Sequence, residues 1–189
     1  MRKCLIAIAI LLIPIAVFSQ EKGIQSTKKY ILASFHYSPS GSGMLYFNNG
    51  AEGIGGSVKY GLEFPIASSS FHLETGAGVG VLASRNYTPQ FFYPEELESE
   101  LYPYFYVPLG VNYKINVSSA FVISPHMEIA GVIGFPDFGG ISVGGIGPVA
   151  GMSLQFGQFL LDASYNIMWT INSNTLGQGY LSIGGGWYF

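Results

Sequence analysis

Residues 182–189 read Ser-Ile-Gly-Gly-Gly-Trp-Tyr-Phe, and this stretch decides the fold. Side chains along a β-strand alternate between two faces. The alternation separates an apolar face from a face of polar and small residues: Leu181, Ile183, Trp187 and Phe189 lie on the first, and Tyr180, Ser182, Gly184 and Gly186 on the second. An apolar face that ends in aromatic residues is typical of a strand whose outer side meets lipid.

The N-terminus predicts export. Arg2 and Lys3 form a basic start, residues 4–18 are an apolar run, and Val17 and Ser19 are small enough to precede a cleavage site. We therefore expect a signal peptide over residues 1–19 and a short periplasmic segment over residues 20–27. The alternative is a retained anchor helix, but the apolar run is short for a helix that spans a membrane.

The composition limits the chemistry of the exported chain. Its one cysteine, Cys4, lies in the signal peptide, so the rest of the chain offers no disulfide and no thiolate. Without Arg2 and Lys3, the 8 Lys and Arg residues become 6 against 11 Asp and Glu, a net charge of −5. Charged residues make up 10% of the chain, well below the ~25% of an ordinary soluble domain. There is little charge with which to cover a surface in contact with water.

The rest of the chain divides into segments with the period-two alternation of β-strands. We predict one all-β domain over residues 28–189, an eight-stranded antiparallel up-and-down transmembrane β-barrel. The predicted strands are 28–38, 55–66, 71–84, 101–115, 120–134, 141–156, 159–171 and 179–189.

The connections between these segments alternate in length. Short links follow the second, fourth and sixth segments, and generally longer ones follow the first, third, fifth and seventh, around 39–54, 85–100, 135–140 and 172–178. Short periplasmic turns and longer external loops are typical of outer-membrane barrels. Both ends of the barrel then face the periplasm. Four prolines inside the segments remove ladder donors, so we expect bulges, bends or strand ends at Pro103, Pro108, Pro125 and Pro148.

The ionisable residues of the segments lie on the face opposite the large aliphatic residues. A soluble barrel of the lipocalin type would turn these charges outward, and a membrane barrel turns them inward. The apolar faces carry almost no charge and have aromatic residues near both ends, which favours the membrane barrel. We predict a polar network inside the barrel, formed by Lys59, Glu63, His72, Glu74, Lys114, His126, Glu128 and Asp162.

An eight-stranded barrel has an interior that side chains can fill, so an open diffusion pore is not expected. Two lysines cannot balance four carboxylates away from water. We therefore expect Lys59 and Lys114, together with His72 and His126, to neutralise the four acids.

An acidic stretch follows several aromatic residues in the predicted external loop 85–100. It contains four carboxylates, those of Glu95, Glu96, Glu98 and Glu100. They could hold a divalent cation shared with lipopolysaccharide phosphates, or meet a basic partner. The simpler interpretation is a solvated acidic loop. The spacing is not that of an EF-hand, and we predict no resident metal or cofactor.

The pairs His72–Glu74 and His126–Glu128 each face one way on a strand, which suits packing inside the barrel better than a metal or acid–base site. A lipid-modifying enzyme would need its catalytic group at the lipid-facing wall, so no catalytic residue is predicted. The glycine repeats precede no helix and fail as nucleotide loops. No basic stripe indicates nucleic-acid binding.

The terminal pattern Ser182-x-Gly184-x-x-Trp187-x-Phe189 resembles the signal by which barrel proteins are recognised for insertion into the outer membrane of diderm bacteria. With the predicted signal peptide and the eight segments, the chain resembles the small OmpX-like and OmpA-barrel-like proteins, and especially the PorT-like outer membrane protein β-barrel domain family. The resemblance implies a place in the outer membrane and contact of the C-terminal strand with the barrel-assembly machinery. It also implies a link to a protein-secretion system.

The function predicted at this point is non-enzymatic. The barrel would be a structural element or a platform whose loops bind lipopolysaccharide, a surface protein or a secretion-system component. The alternatives are a membrane-embedded lipid-modifying enzyme and a small-solute channel.

Overall fold

The computed structural model describes residues 27–38, 52–66, 69–85, 99–134, 143–170 and 178–189. The predicted signal peptide, nearly all of the segment 20–27, and the acidic residues Glu95, Glu96 and Glu98 lie outside these ranges. No helix within them is long and apolar enough to cross a membrane.

The described residues form eight long strands, as the alternation predicts. They are β1 (Lys28–Ser38), β2 (Glu52–Pro65), β3 (Phe71–Arg85), β4 (Ser99–Tyr113), β5 (Phe121–Gly134), β6 (Val143–Phe156), β7 (Phe159–Thr170) and β8 (Gln178–Tyr188). A two-residue piece, Ile115–Asn116, continues β4 beyond Lys114. The bounds differ from the predicted ones by up to three residues. One difference moves a predicted loop residue, because Glu100 lies in β4 opposite Ser84.

Each strand pairs antiparallel with its neighbour in the chain, and β8 pairs with β1 to close the sheet. The closing seam runs from Tyr30–Tyr188 to Tyr37–Leu181. This is the predicted all-β, eight-stranded, up-and-down barrel. Closure leaves no sheet edge, and this matters in lipid because water cannot satisfy an open edge there.

The strand registers fix the size of the barrel. We followed the pairings from residue 28 around all eight strands and continued the β8–β1 register one pair beyond Tyr37–Leu181. They return to β1 at residue 38, a displacement of 10 residues. The path runs through Lys28, Glu63, Glu74, Gly110, Glu128, Val149, Asn166, Tyr180 and Ser38. For eight strands at ordinary spacings, this stagger corresponds to a tilt of about 40°. That tilt gives an interior that side chains can fill.

The strands alternate as the sequence predicts, with their apolar side outward. Ile183 is 69% exposed and Met127 66%, whereas Glu63 is 0% exposed. Aromatic side chains on the outer face pair near the short-link end, Phe71 with Tyr113 at 4.9 Å between ring centroids and Phe121 with Phe156 at 4.7 Å. This distribution is the reverse of that in a soluble barrel and matches a wall that faces hydrocarbon.

The short link between β6 and β7 is a two-residue turn at Gly157 and Gln158. Gly157 has a φ of 59°, which two-residue hairpins require at their first central position and which glycine adopts without strain.

The prolines do not produce the expected bulges. Every strand pair keeps one register along its whole length, and three prolines instead lie at gaps of two pairs in the ladder. Pro108 lies at a gap between β3 and β4, Pro125 at one between β4 and β5, and Pro148 at one between β6 and β7. A missing N–H removes hydrogen bonds without adding a residue, so the register survives. At the first gap, the hydroxyl of Thr75 donates to the Pro108 carbonyl at 2.9 Å.

Glycines on the inner face make room for tyrosine rings. The ring of Tyr30 lies against Gly61, and the rings of Tyr104 and Tyr106 lie against Gly80 and Gly78. A methyl group at any of these glycines would overlap the ring. The glycine content of the strands is thus partly a packing requirement of the interior.

Replacing Gly61 by alanine tests this packing. Its Cβ would meet the Tyr30 ring, so Gly61→Ala should lower the free energy of unfolding by about 1–3 kcal/mol. The matched control is Gly185→Ala, whose Cβ would meet nothing within 4 Å and should change that free energy by less than about 0.5 kcal/mol. The measurement is urea unfolding of the barrel in phospholipid vesicles. Equal effects for the two variants would contradict the packing argument.

Candidate functional site: the charged interior

The ionisable side chains of the barrel wall meet inside it. Seven of the eight residues of the predicted network are buried, at most 8% exposed, and His72 is partly exposed. They form three clusters that follow the barrel from its short-link end toward its middle. The foot and central clusters join side chains from strands that are distant in the chain, and the side cluster joins three consecutive strands.

The foot cluster, at the short-link end, consists of Glu63, His72, Lys114 and Tyr188. Lys114 Nζ lies 2.8 Å from Glu63 Oε2, and His72 Nδ1 lies 2.9 Å from Glu63 Oε1. The Tyr188 hydroxyl donates to Glu63 Oε2 at 2.9 Å and accepts from Lys114 at 3.3 Å. The fully buried carboxylate of Glu63 therefore has partners from β3, β8 and the end of β4.

The central cluster is built around Lys59 on β2. Its ammonium group lies 2.9 Å from Glu74 Oε1 and 3.1 Å from Glu128 Oε1. Glu74 also accepts hydrogen bonds from the Tyr30 hydroxyl and, at 3.0 Å, from Asn112 Nδ2. Because Glu74 comes from β3 and Glu128 from β5, the lysine joins two separate parts of the wall across the interior.

The side cluster consists of His126, Ser153 and Asp162. The hydroxyl of Ser153 donates to Asp162 Oδ2 at 2.7 Å, and His126 Nε2 lies 3.7 Å from the same oxygen. Ser153 Oγ is also 3.4 Å from His126 Nδ1. The grouping resembles a catalytic triad in composition only, because His126 and Asp162 are buried, Ser153 is half-buried, and all three point into the interior and not toward lipid.

A fourth group of polar residues, centred on His36, lies nearer the long-loop end and was not predicted as part of the interior network. His36 Nδ1 is 2.5 Å from Ser182 Oγ, and His36 Nε2 is 2.8 Å from Ser57 Oγ. The Tyr180 ring meets the imidazole edge-on at 5.2 Å. The alternation along β1 could have predicted the inward position of His36, because His36 shares its face with the inward-facing Tyr30 and Leu32.

A polar chamber of about 50 Å³ lies between this group and the central cluster. A second chamber, of about 10 Å³, lies on the foot side. Lys59, His126, Glu128 and Asp162 line both chambers. A layer of charged side chains therefore lies between the two spaces.

The residues of the predicted assembly signal lie on the two faces of β8. Ser182 and Gly184 point inward, where a Cβ at Gly184 would meet Ser34 and the β1 backbone. Trp187 and Phe189 point outward and are 51% and 61% exposed. The Phe189 N–H donates to the Lys29 carbonyl at 2.9 Å. Residues of the predicted assembly signal therefore also take part in the β8–β1 pairing that closes the barrel.

Metal binding has no support among the described residues, which contain no group of three or more His, Cys, Asp and Glu able to hold a metal ion. Glu100, the one member of the predicted acidic site with a described backbone, is paired in β4. The other three members lie outside the described ranges.

No family model matches this chain, and no curated protein matches it. Among solved structures, Neisserial surface protein A is similar with a TM-score of 0.51 and 16% identity over 89% of this chain and 100% of that one. The fold is that of a small outer-membrane β-barrel. This agrees with the location that the sequence predicts, a bacterial outer membrane.

Two further barrels are similar at lower scores. The Yersinia pestis outer membrane protein Ail has a TM-score of 0.41 and 15% identity over 87% of this chain and 100% of that one. The N-terminal β-barrel domain of Pseudomonas aeruginosa OprF has a TM-score of 0.39 and 12% identity over 88% of this chain and 99% of that one.

The central cluster gives a testable expectation for Lys59. Lys59→Met removes the cation that Glu74 and Glu128 share and leaves both carboxylates buried without it. The free energy of unfolding in vesicles should fall by about 3–5 kcal/mol.

Two controls accompany this variant. The exposed Lys29→Met should change the free energy of unfolding by less than about 0.5 kcal/mol. Adding Glu74→Gln and Glu128→Gln to Lys59→Met should recover most of the loss, because the buried charges are then gone. If the triple variant were no more stable than Lys59→Met alone, unpaired charge would not be the cause.

Proposed function

We propose that this protein is a non-enzymatic integral protein of the outer membrane, with a sealed barrel that serves as a structural element or as a platform for binding at the cell surface. The observation that carries the proposal is the contact of Lys59 with both Glu74 and Glu128, at 2.9 and 3.1 Å. It ties β2, β3 and β5 together through the interior. Binding would then fall to the loops around 39–54 and 85–100.

A sealed interior argues for a platform over a channel. A solute that crossed the barrel would have to separate Lys59 from at least one carboxylate. Separating a buried ion pair leaves charges without partners and costs several kcal/mol. The buried side chains of Tyr30, Leu32 and Leu160 narrow the interior beside Lys59.

The positions of the histidines support a non-enzymatic role. His36, His72 and His126 all contact other side chains within the interior. A lipid substrate approaches the barrel from outside, where the described wall presents aliphatic and aromatic side chains. An enzyme acting on lipid would need an acid, a base or a nucleophile on that outer wall.

Such a platform would meet its partners through its C-terminal strand and its external loops. The C-terminal strand, with Ser182, Gly184, Trp187 and Phe189, would be read by the barrel-assembly machinery during insertion. The external loops would contact lipopolysaccharide, a surface protein or a component of a secretion system. The acidic residues Glu95, Glu96, Glu98 and Glu100 would favour a basic partner or a bridging divalent cation.

Conductance separates the platform from a channel. Purified barrel in a planar lipid bilayer should show no stable large pore, because the layer around Lys59 closes the interior. A steady pore in the unmodified protein would contradict the proposal. A variant such as Lys59→Met is a useful comparison, since any current that appears only there comes from loss of the layer.

Crosslinking in native outer membranes tests the binding role. A photo-crosslinking residue at position 97, in the external loop, should capture lipopolysaccharide or a surface protein. The same residue at position 158, in the two-residue turn at the other end of the barrel, is the matched control and should not capture the same partner. Identical captures from both positions, or none from position 97, would contradict binding by the loop.

A further inference from the structure

The smaller chamber in the interior has the size of a single water molecule. Its volume is about 10 Å³, and one water requires about 10–15 Å³ measured in this way. The chamber is lined by side chains of all three clusters, so whatever occupies it must be compatible with each of them.

Two buried polar atoms at this chamber have no hydrogen-bond partner within the protein. They are the hydroxyl oxygen of Ser124 and the side-chain carbonyl oxygen of Asn112. Ser124 is 2% exposed and Asn112 is 4% exposed, and both residues line the chamber. A buried polar group without a partner is destabilising, and ordered water is the usual remedy.

The charges around the chamber decide which ligand fits. Glu74, Glu128 and Asp162 disfavour an anion, while the ammonium groups of Lys59 and Lys114 disfavour a cation. Asn112 Oδ1 accepts a hydrogen bond, and the Ser124 hydroxyl can donate or accept one. The ligand must therefore be neutral, very small and able to donate and accept at once.

We infer that the chamber, where residues of the three charged clusters meet, is a binding site for one water molecule. The chamber is lined by Lys114 and Tyr188 of the foot cluster and by Lys59, Glu74 and Glu128 of the central one. His126, Ser153 and Asp162 of the side cluster complete its wall. The water donates to Asn112 Oδ1 and shares a hydrogen bond with the Ser124 hydroxyl.

The sign of one stability change tests the site. If water is bound, Ser124→Ala removes a satisfied hydrogen bond, and the equilibrium constant for unfolding in vesicles should rise roughly two- to tenfold. If the chamber is dry, the same change deletes an unsatisfied buried hydroxyl, and the constant should stay equal or fall. An equal or lower constant would overturn the inference.

The matched control is Ser153→Ala. Its hydroxyl donates directly to Asp162 at 2.7 Å, so this variant should unfold more readily whether or not water occupies the chamber. It shows that the assay detects the loss of one hydroxyl in this part of the barrel.

A second measurement uses the unmodified protein and does not depend on whether a variant folds. The side-chain amide protons of Asn112 should show magnetisation transfer from water in NMR spectra of the barrel in nanodiscs. The transfer should have the sign of a long-lived bound water. Its absence at Asn112 would overturn the inference.

Discussion

The structure depends on one constraint, that buried charge must be balanced inside a wall that faces hydrocarbon. The backbone can be satisfied in lipid by closing the sheet, and the seam between β8 and β1 does this. The side chains then divide by parity into an apolar outside and a polar inside. Four carboxylates on the inner face need partners, and Lys59 and Lys114, with His72 and His126, lie within 4 Å of them.

Much of the fold follows from the sequence, because side chains along a strand alternate between two faces and the alternation of apolar and polar residues can be followed along each segment. The strand number, the inner and outer faces, the up-and-down order and the alternating loop lengths all come from this pattern. The bounds of the strands are less readable; β2 begins at Glu52 and β4 at Ser99, each in a stretch that alternation alone does not separate from a loop.

The pairing of particular charges could not be predicted. The alternation along a strand gives the face on which a residue lies, but not its position along the barrel axis. These positions follow from the displacement of 10 residues around the sheet, which only the registers reveal. Glu63 and Glu74 lie opposite each other on β2 and β3, yet they take different lysines. The place of Tyr30 is hidden for a similar reason, because its space comes from Gly61 on the neighbouring strand.

The three ladder gaps divide the barrel unevenly. They fall between β3 and β4, between β4 and β5, and between β6 and β7, whereas the five strands from β7 through β8 and β1 to β3 pair without interruption. One side of the barrel wall is thus continuously paired and stiff. The opposite side has three places where missing pairs let the wall flex. Bending of the surrounding bilayer would be absorbed by the same flexible side.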